Sequence, residues 1–148
     1  MAISFIKIFL LLLIIFPLDL SFARFCLTTD LQVHIINKLP DQSLLPLQIH
    51  CESRDDDLGN HNLAINEDYN WQFCEAFYEN TLYFCRFRWG IKYKRIDVFN
   101  DAYTCLDGLT VPNLLNYCKW EVRSDGFYLE QYDSTTGTYF MTLIYKWR

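Results

Sequence analysis

Thr81–Trp89 reads "TLYFCRFRW". Tyr83, Cys85, Phe87 and Trp89 fall on one parity, and Leu82, Phe84, Arg86 and Arg88 fall on the other. Period-two alternation of this kind marks a β-strand with two unlike faces. The residue types agree, because aromatic side chains suit a pleated, half-buried surface. A strand built this way needs a second apolar layer to cover Tyr83, Cys85 and Phe87, and the flanking sequence supplies more strands of the same kind. Arg86 and Arg88 share the other face with Leu82 and Phe84. That face reads either as a contact patch or as a solvated edge guarded by charge.

Upstream, "QVHIINKL" sets Val33 and Ile35 against His34 and Lys38, and "LPLQIHC" sets Leu45, Leu47, Ile49 and Cys51 against Pro46, Gln48 and His50. Pro46 inside that run predicts an edge position or a bulge. "YNWQFCEA" pairs Trp71 with Phe73 and sends Gln72 and Cys74 the other way. Downstream, "IKYKRIDVF" alternates less cleanly. "YCKWEVRS" places Cys118, Trp120 and Val122 inside, and "GFYLEQYD" and "GTYFMTLIYKW" close the chain. The last run aligns Tyr139, Met141, Leu143, Tyr145 and Trp147. No repeat, low-complexity linker or amphipathic helix interrupts the series. The expectation is an all-β domain, a small disulfide-stabilised sandwich of about eight short antiparallel strands.

The first residues, "MAISFIKIFLLLLIIFPLDLSFAR", have a lysine, an apolar run from Ile8 to Phe16 and small residues at Ser21 and Ala23. This is the pattern of a cleaved signal peptide. The run is shorter than the roughly 20 apolar residues that span a bilayer. The expected organisation is a signal peptide over 1–23 and one domain over 24–148, secreted and extracellular, with no stable membrane insertion after cleavage. The formal net charge is −5. An acidic surface excludes nucleic acid and anionic membranes as natural partners, since both select basic faces.

Six cysteines occur: Cys26, Cys51, Cys74, Cys85, Cys105 and Cys118. In a small exported domain they read first as disulfides, and no C-x-x-C pair suggests zinc. Cys51, Cys85 and Cys118 share faces with large apolar residues and suit the core. Cys74 falls on a polar face. A Cys26–Cys74 bond would tie down the new terminus, and a free Cys74 is the alternative.

The stretch "HCESRDDDLGNHNL", from His50 to Leu63, carries the main candidates for chemistry. Adjacent carboxylates Asp55, Asp56 and Asp57 in a loop are normally solvated, whereas acid–base catalysis needs carboxyl groups held in a cleft with separated pKa values. Asp55, Asp56, Asp57 and Asp68 are hard oxygen ligands, but the D-x-[DN]-x-[DN]-G calcium pattern is absent. His34, His50 and His61 match no metalloprotease spacing. G-x-S-x-G is missing, and oxidised thiols remove a Cys–His nucleophile. No catalytic residue, metal or cofactor is expected.

Several motifs in order complete the reading: His-Cys at 50–51, Asp-Asp-Leu-Gly at 56–59, Trp-x-Phe at 71–73, Thr-Leu-x-x-Cys at 81–85, Cys-x-Trp at 118–120 and Asp-Gly at 125–126. In these the chain resembles the plant self-incompatibility protein S1 family, the S-protein homologues, over about Val33 to Trp147. The resemblance implies a secreted β-sandwich that acts as a non-catalytic extracellular ligand for an unknown cell-surface receptor. The family's founding members are pistil ligands that reject self pollen. The alternative is a small secreted hydrolase or carbohydrate-binding protein. The family pattern carries four cysteines, here Cys51, Cys85, Cys105 and Cys118; Cys26 and Cys74 depart from it. Four cysteines allow three pairings. Matching the apolar faces and nesting the shorter loop within the longer gives Cys51–Cys118 and Cys85–Cys105 as the expected pair of bonds. On the surface, the expected recognition loop comprises Asp55, Asp56, Asp57 and His61, with Gly59 allowing a turn of positive φ.

Overall fold

Strand β5 (Tyr83–Trp89) alternates as its sequence does, with Tyr83, Cys85 and Phe87 buried. It lies in a computed structural model that describes Cys26 and residues 30–41, 44–74, 81–100 and 117–148. The other strands are β1 (Asp30–Asn37), β2 (Leu47–Glu52), β3 (Asp57–Leu63), β4 (Asp68–Cys74), β6 (Lys92–Phe99), β7 (Tyr117–Arg123), β8 (Gly126–Asp133) and β9 (Thr138–Lys146). Among the described residues these nine strands make a five-stranded sheet, β4-β1-β7-β8-β9, and a four-stranded sheet, β3-β2-β5-β6, with no helix. The signal peptide expected over 1–23, and Cys105, lie outside the described residues.

The two inner faces bury Val33 and Ile35 of β1, Leu47 and Ile49 of β2, Phe87 of β5 and Val122 of β7 in one core. Removing such apolar surface from water drives the sheets together at about 25 cal/mol per Å². Aromatic rings bridge the layers: Phe87 meets Phe127 at 4.9 Å and Phe73 meets Tyr83 at 4.6 Å between centroids. Two polar groups tie the sheets directly. Trp120 Nε1 donates to the Val98 carbonyl at 2.9 Å. The Asn37 side chain donates to the Leu63 carbonyl and accepts from the Leu39 N–H, both at 3.0 Å. Asn37 stands at the buried parity of β1, and those bonds offset the cost of burying its amide.

The all-β sandwich agrees with the sequence, and four details differ from it. First, the described residues form nine strands where about eight were expected, the addition being Asp57–Leu63, which is a strand and not a loop. Second, β1 pairs with β7 in parallel, although the other pairings are antiparallel. Parallel neighbours need a long crossover, and here the whole four-stranded sheet and β4 intervene between them. Third, Pro46 precedes β2, an interior strand, so it withholds no ladder N–H; Leu45 is 54% exposed rather than on the core face. Fourth, β9 does not present one clean apolar face. Tyr139 and Phe140, of opposite parity, are both exposed, because β9 is the outermost strand of five and faces a layer of only four.

The disulfide pairing is also corrected. Cys51 bonds to Cys85, with Cα atoms 4.0 Å apart, and not to Cys118. Register dictates this, since Cys51 stands directly opposite Cys85 on paired strands β2 and β5. Shared apolar faces could not separate a partner on the same sheet from one on the facing sheet. Cys118 is itself disulfide-bonded. Cys26 bonds to Cys74, the first of the two readings open for that pair.

Candidate functional site

The expected recognition residues lie at one end of the four-stranded sheet, and the structure gives them unequal roles. Ser53 builds the turn: its N–H donates to the Asp56 carbonyl at 2.8 Å, and its hydroxyl accepts the N–H groups of Asp55 at 3.3 Å and Asp56 at 3.0 Å. Asp55 projects from this turn with its side chain 84% exposed, 3.7 Å from Arg54 Nε. Asp56 turns back and accepts the Tyr83 hydroxyl at 3.0 Å. Asp57 begins β3. Its Oδ1 accepts the Gly59 N–H at 2.8 Å and lies 2.7 Å from His50 Nε2. The Gly59 N–H, then the His50 hydrogen bond, hold its carboxyl below the ordinary range by stabilising the anion.

His61 is not displayed with the aspartates. Its Nε2 donates to the Leu58 carbonyl at 2.7 Å, and its ring packs on Tyr69 at 4.2 Å. Asp68, which the sequence offers as a fourth oxygen ligand, sits on the other sheet at 2.7 Å from His34. His50, Glu52 and Asp57 do come together, with one ligand atom from each within 4.8 Å of the others. These three are the residues that could hold a divalent cation. Arg86, however, donates to Glu52, so its guanidinium already supplies a positive charge there. Chemically, His50 has a carboxylate to orient it, but no described cysteine is free to serve as a thiol nucleophile.

The outer face of the same sheet holds residues that single-strand patterns did not group. Directly opposed residues on paired strands point to the same face. Register therefore lays three rows across β3, β2, β5 and β6. The first is Asn62, Gln48, Arg88 and Tyr93; the second is Asn60, His50, Arg86 and Arg95; the third is Asp57, Glu52, Phe84 and Asp97. Arg95 stacks over the Phe84 ring at 3.9 Å, and Arg86 approaches it at 5.5 Å. The first two rows, apart from Arg95, line a shallow groove of about 420 Å³. The alternation of Arg86 with Arg88 was the visible signal for this face. Its neighbours required the strand register.

Comparison with known proteins gives one consistent picture. Residues 32–147 match the family model for plant self-incompatibility protein S1. S-protein homolog 24 of Arabidopsis thaliana is 37% identical over 105 residues, 68% of this chain and 61% of that protein. S-protein homolog 5 of the same plant is 33% identical over 81 residues, 55% of this chain and 58% of that protein. The matched region thus spans about 60% of the length of these relatives. A solved structure of self-incompatibility protein homologues, described as small, highly stable, secreted proteins from plants, aligns with a TM-score of 0.53 at 20% identity. It covers 82% of this chain and 96% of that one. At that identity the likeness concerns the fold.

Proposed function

The chain belongs to the plant self-incompatibility protein S1 family, and from that premise we propose that it is a secreted, non-catalytic ligand for a cell-surface protein. Recognition is assigned to the turn that carries Asp55. The observation that supports this most directly is the contrast within the turn. Asp56 and Asp57 are spent on internal hydrogen bonds, while the Asp55 carboxylate stands in solvent on a backbone fixed by Ser53. A rigid sandwich that holds a charged loop tip in one conformation limits the ordering cost of binding. A carboxylate there steers encounter with a basic receptor patch.

The test compares Asp55→Asn with the wild type for saturable binding to the surface of plant cells. The variant should keep the wild-type melting temperature and bind several-fold more weakly, with the difference shrinking as salt rises. Equal binding by both proteins removes the loop from the interface. Turnover of generic glycosidase or esterase substrates by the wild type would instead favour a secreted hydrolase.

A further inference from the structure

Charge on the outer face of the four-stranded sheet is segregated. Its carboxylates, Asp57, Glu52 and Asp97, all fall in one row at the end near the Ser53 turn. The groove occupies the other two rows, and its lining contains Arg86 and Arg88 but no carboxylate. Arg86 is engaged by Glu52 from one side. Arg88 is exposed, and its side chain makes no hydrogen bond or ion pair to another described residue. A protein of net charge −5 therefore carries a local cationic groove on its rigid central strands.

The remaining lining selects among anions. Asn60, Asn62 and Gln48 bring three side-chain amides to the groove, each able to donate and accept. Tyr93 adds an exposed ring and hydroxyl at the β6 edge. A sugar ring with vicinal hydroxyls uses such groups: paired amide bonds to hydroxyls and a flat ring to rest on. An acidic peptide would need apolar pockets for its anchors, because hot spots in protein interfaces are buried apolar or aromatic groups. Nor does the groove resemble a phosphate cradle of successive backbone N–H groups, since it is built from side chains standing on a ladder-paired sheet. Four strands at about 4.8 Å spacing give a face roughly 14 Å across, enough for a short oligosaccharide.

We propose that this groove binds a carboxylated oligosaccharide, a chain of uronic acid residues, with Arg88 and Arg86 taking the carboxylates and Asn60, Asn62 and Gln48 the hydroxyls. Arg88 would make the bidentate guanidinium–carboxylate pair that gives such contacts both strength and direction. The site is separate from the Asp55 turn, so the sheet face and the loop tip can be occupied together.

Calorimetric titration of the purified, disulfide-intact protein with a galacturonate octamer tests this. Its methyl ester, which keeps the hydroxyls and loses the charge, and poly-L-glutamate, which keeps the charge and loses the sugar, serve as comparison probes. The octamer should bind, and both other probes should bind at least tenfold more weakly. Arg88→Gln should weaken octamer binding about tenfold without changing the melting temperature, as expected for loss of one hydrogen-bonded charge pair. Lys146→Gln, which removes the same charge from β9, should leave binding unchanged. No heat or saturation with the octamer at low salt would overturn the proposal. Equal loss in Arg88→Gln and Lys146→Gln would also overturn it, by reducing the attraction to diffuse charge. Equally tight, Arg88-dependent binding of poly-L-glutamate would show an acidic-peptide site instead.

Discussion

Asp57 Oδ1 accepts the Gly59 N–H and meets His50 Nε2, while its neighbours Asp55 and Asp56 make neither contact. In the sequence the three aspartates are equivalent letters in a loop-like run. Their division of labour arises from the Ser53 turn, which points each side chain differently, and composition carries no trace of that. Because the carboxyl of Asp57 is held below its ordinary range, it binds fewer protons in the folded chain than in the unfolded chain near that range. Its contribution to stability is therefore present above the unfolded carboxylate pKa and is lost as pH falls through the lowered folded value. Asp57→Asn keeps the size and removes the charge. At about pH 6 the variant should melt below the wild type, and the gap should narrow as pH falls below the ordinary carboxylate range. A gap of constant size across that range would mean that the variant acts through geometry and not through charge.

At the scale of strands, the alternation in β1, β2, β5 and β7 was legible because a buried inner face opposes a wetter outer one. β3 was not legible, and physical reasons account for it. It is an edge strand rich in Asp, Gly, Asn and His, residues that are uncommon or neutral in strands, and its alternation of burial slips at Leu58 and Gly59. A register shift between His50 and Glu52 and a left-handed Gly59, with φ of 78°, break the pattern further. The sequence did mark Gly59 as a positive-φ position, but inside a turn and not within a strand. A Cβ at Gly59 would meet no atom within 4 Å, so substitution there is opposed by backbone strain and not by collision. Gly59→Ala should cost about 1–2 kcal/mol, the cost of placing an L-residue in the left-handed region. It should also loosen the Asp57–His50 contact that depends on the Gly59 N–H. Urea unfolding gives the first quantity, and His50 ring chemical shifts report the second. An unchanged unfolding midpoint would show that β3 re-registers around the alanine without cost.

At the scale of the molecule, the sequence disclosed two apolar layers and six cysteines but not which cysteines meet. Parity assigns a cysteine to a face, whereas pairing depends on which strands are neighbours, and that order is set by the β1–β7 crossover. Besides the bond of Cys118, the bonds between described residues join Cys51 to Cys85 inside one sheet and Cys26 to Cys74 at the β4 edge of the other. Their sequence separations are 34 and 48. Loop-closure entropy gives each about 4 kcal/mol when removed alone, almost independent of the difference in length. The two closed segments overlap between Cys51 and Cys74, so each constrains chain that the other already constrains, and their effects should not add. The variant Cys26→Ala/Cys74→Ala should lose roughly 3–4 kcal/mol yet retain the sandwich, because Cys74 is exposed and no core contact depends on it. Cys51→Ala/Cys85→Ala should lose more, since both side chains are fully buried and truncation also leaves a cavity. A domain of this size has about 5–15 kcal/mol of stability in all, so removing these two bonds should leave little folded protein at 37 °C even with the bond of Cys118 intact. Guanidinium unfolding of the two double variants, with far-ultraviolet circular dichroism, measures both the losses and their order. If Cys26→Ala/Cys74→Ala proves the more damaging of the two, the edge bond holds β4 and β1 in place, and the core does not specify the sandwich without it.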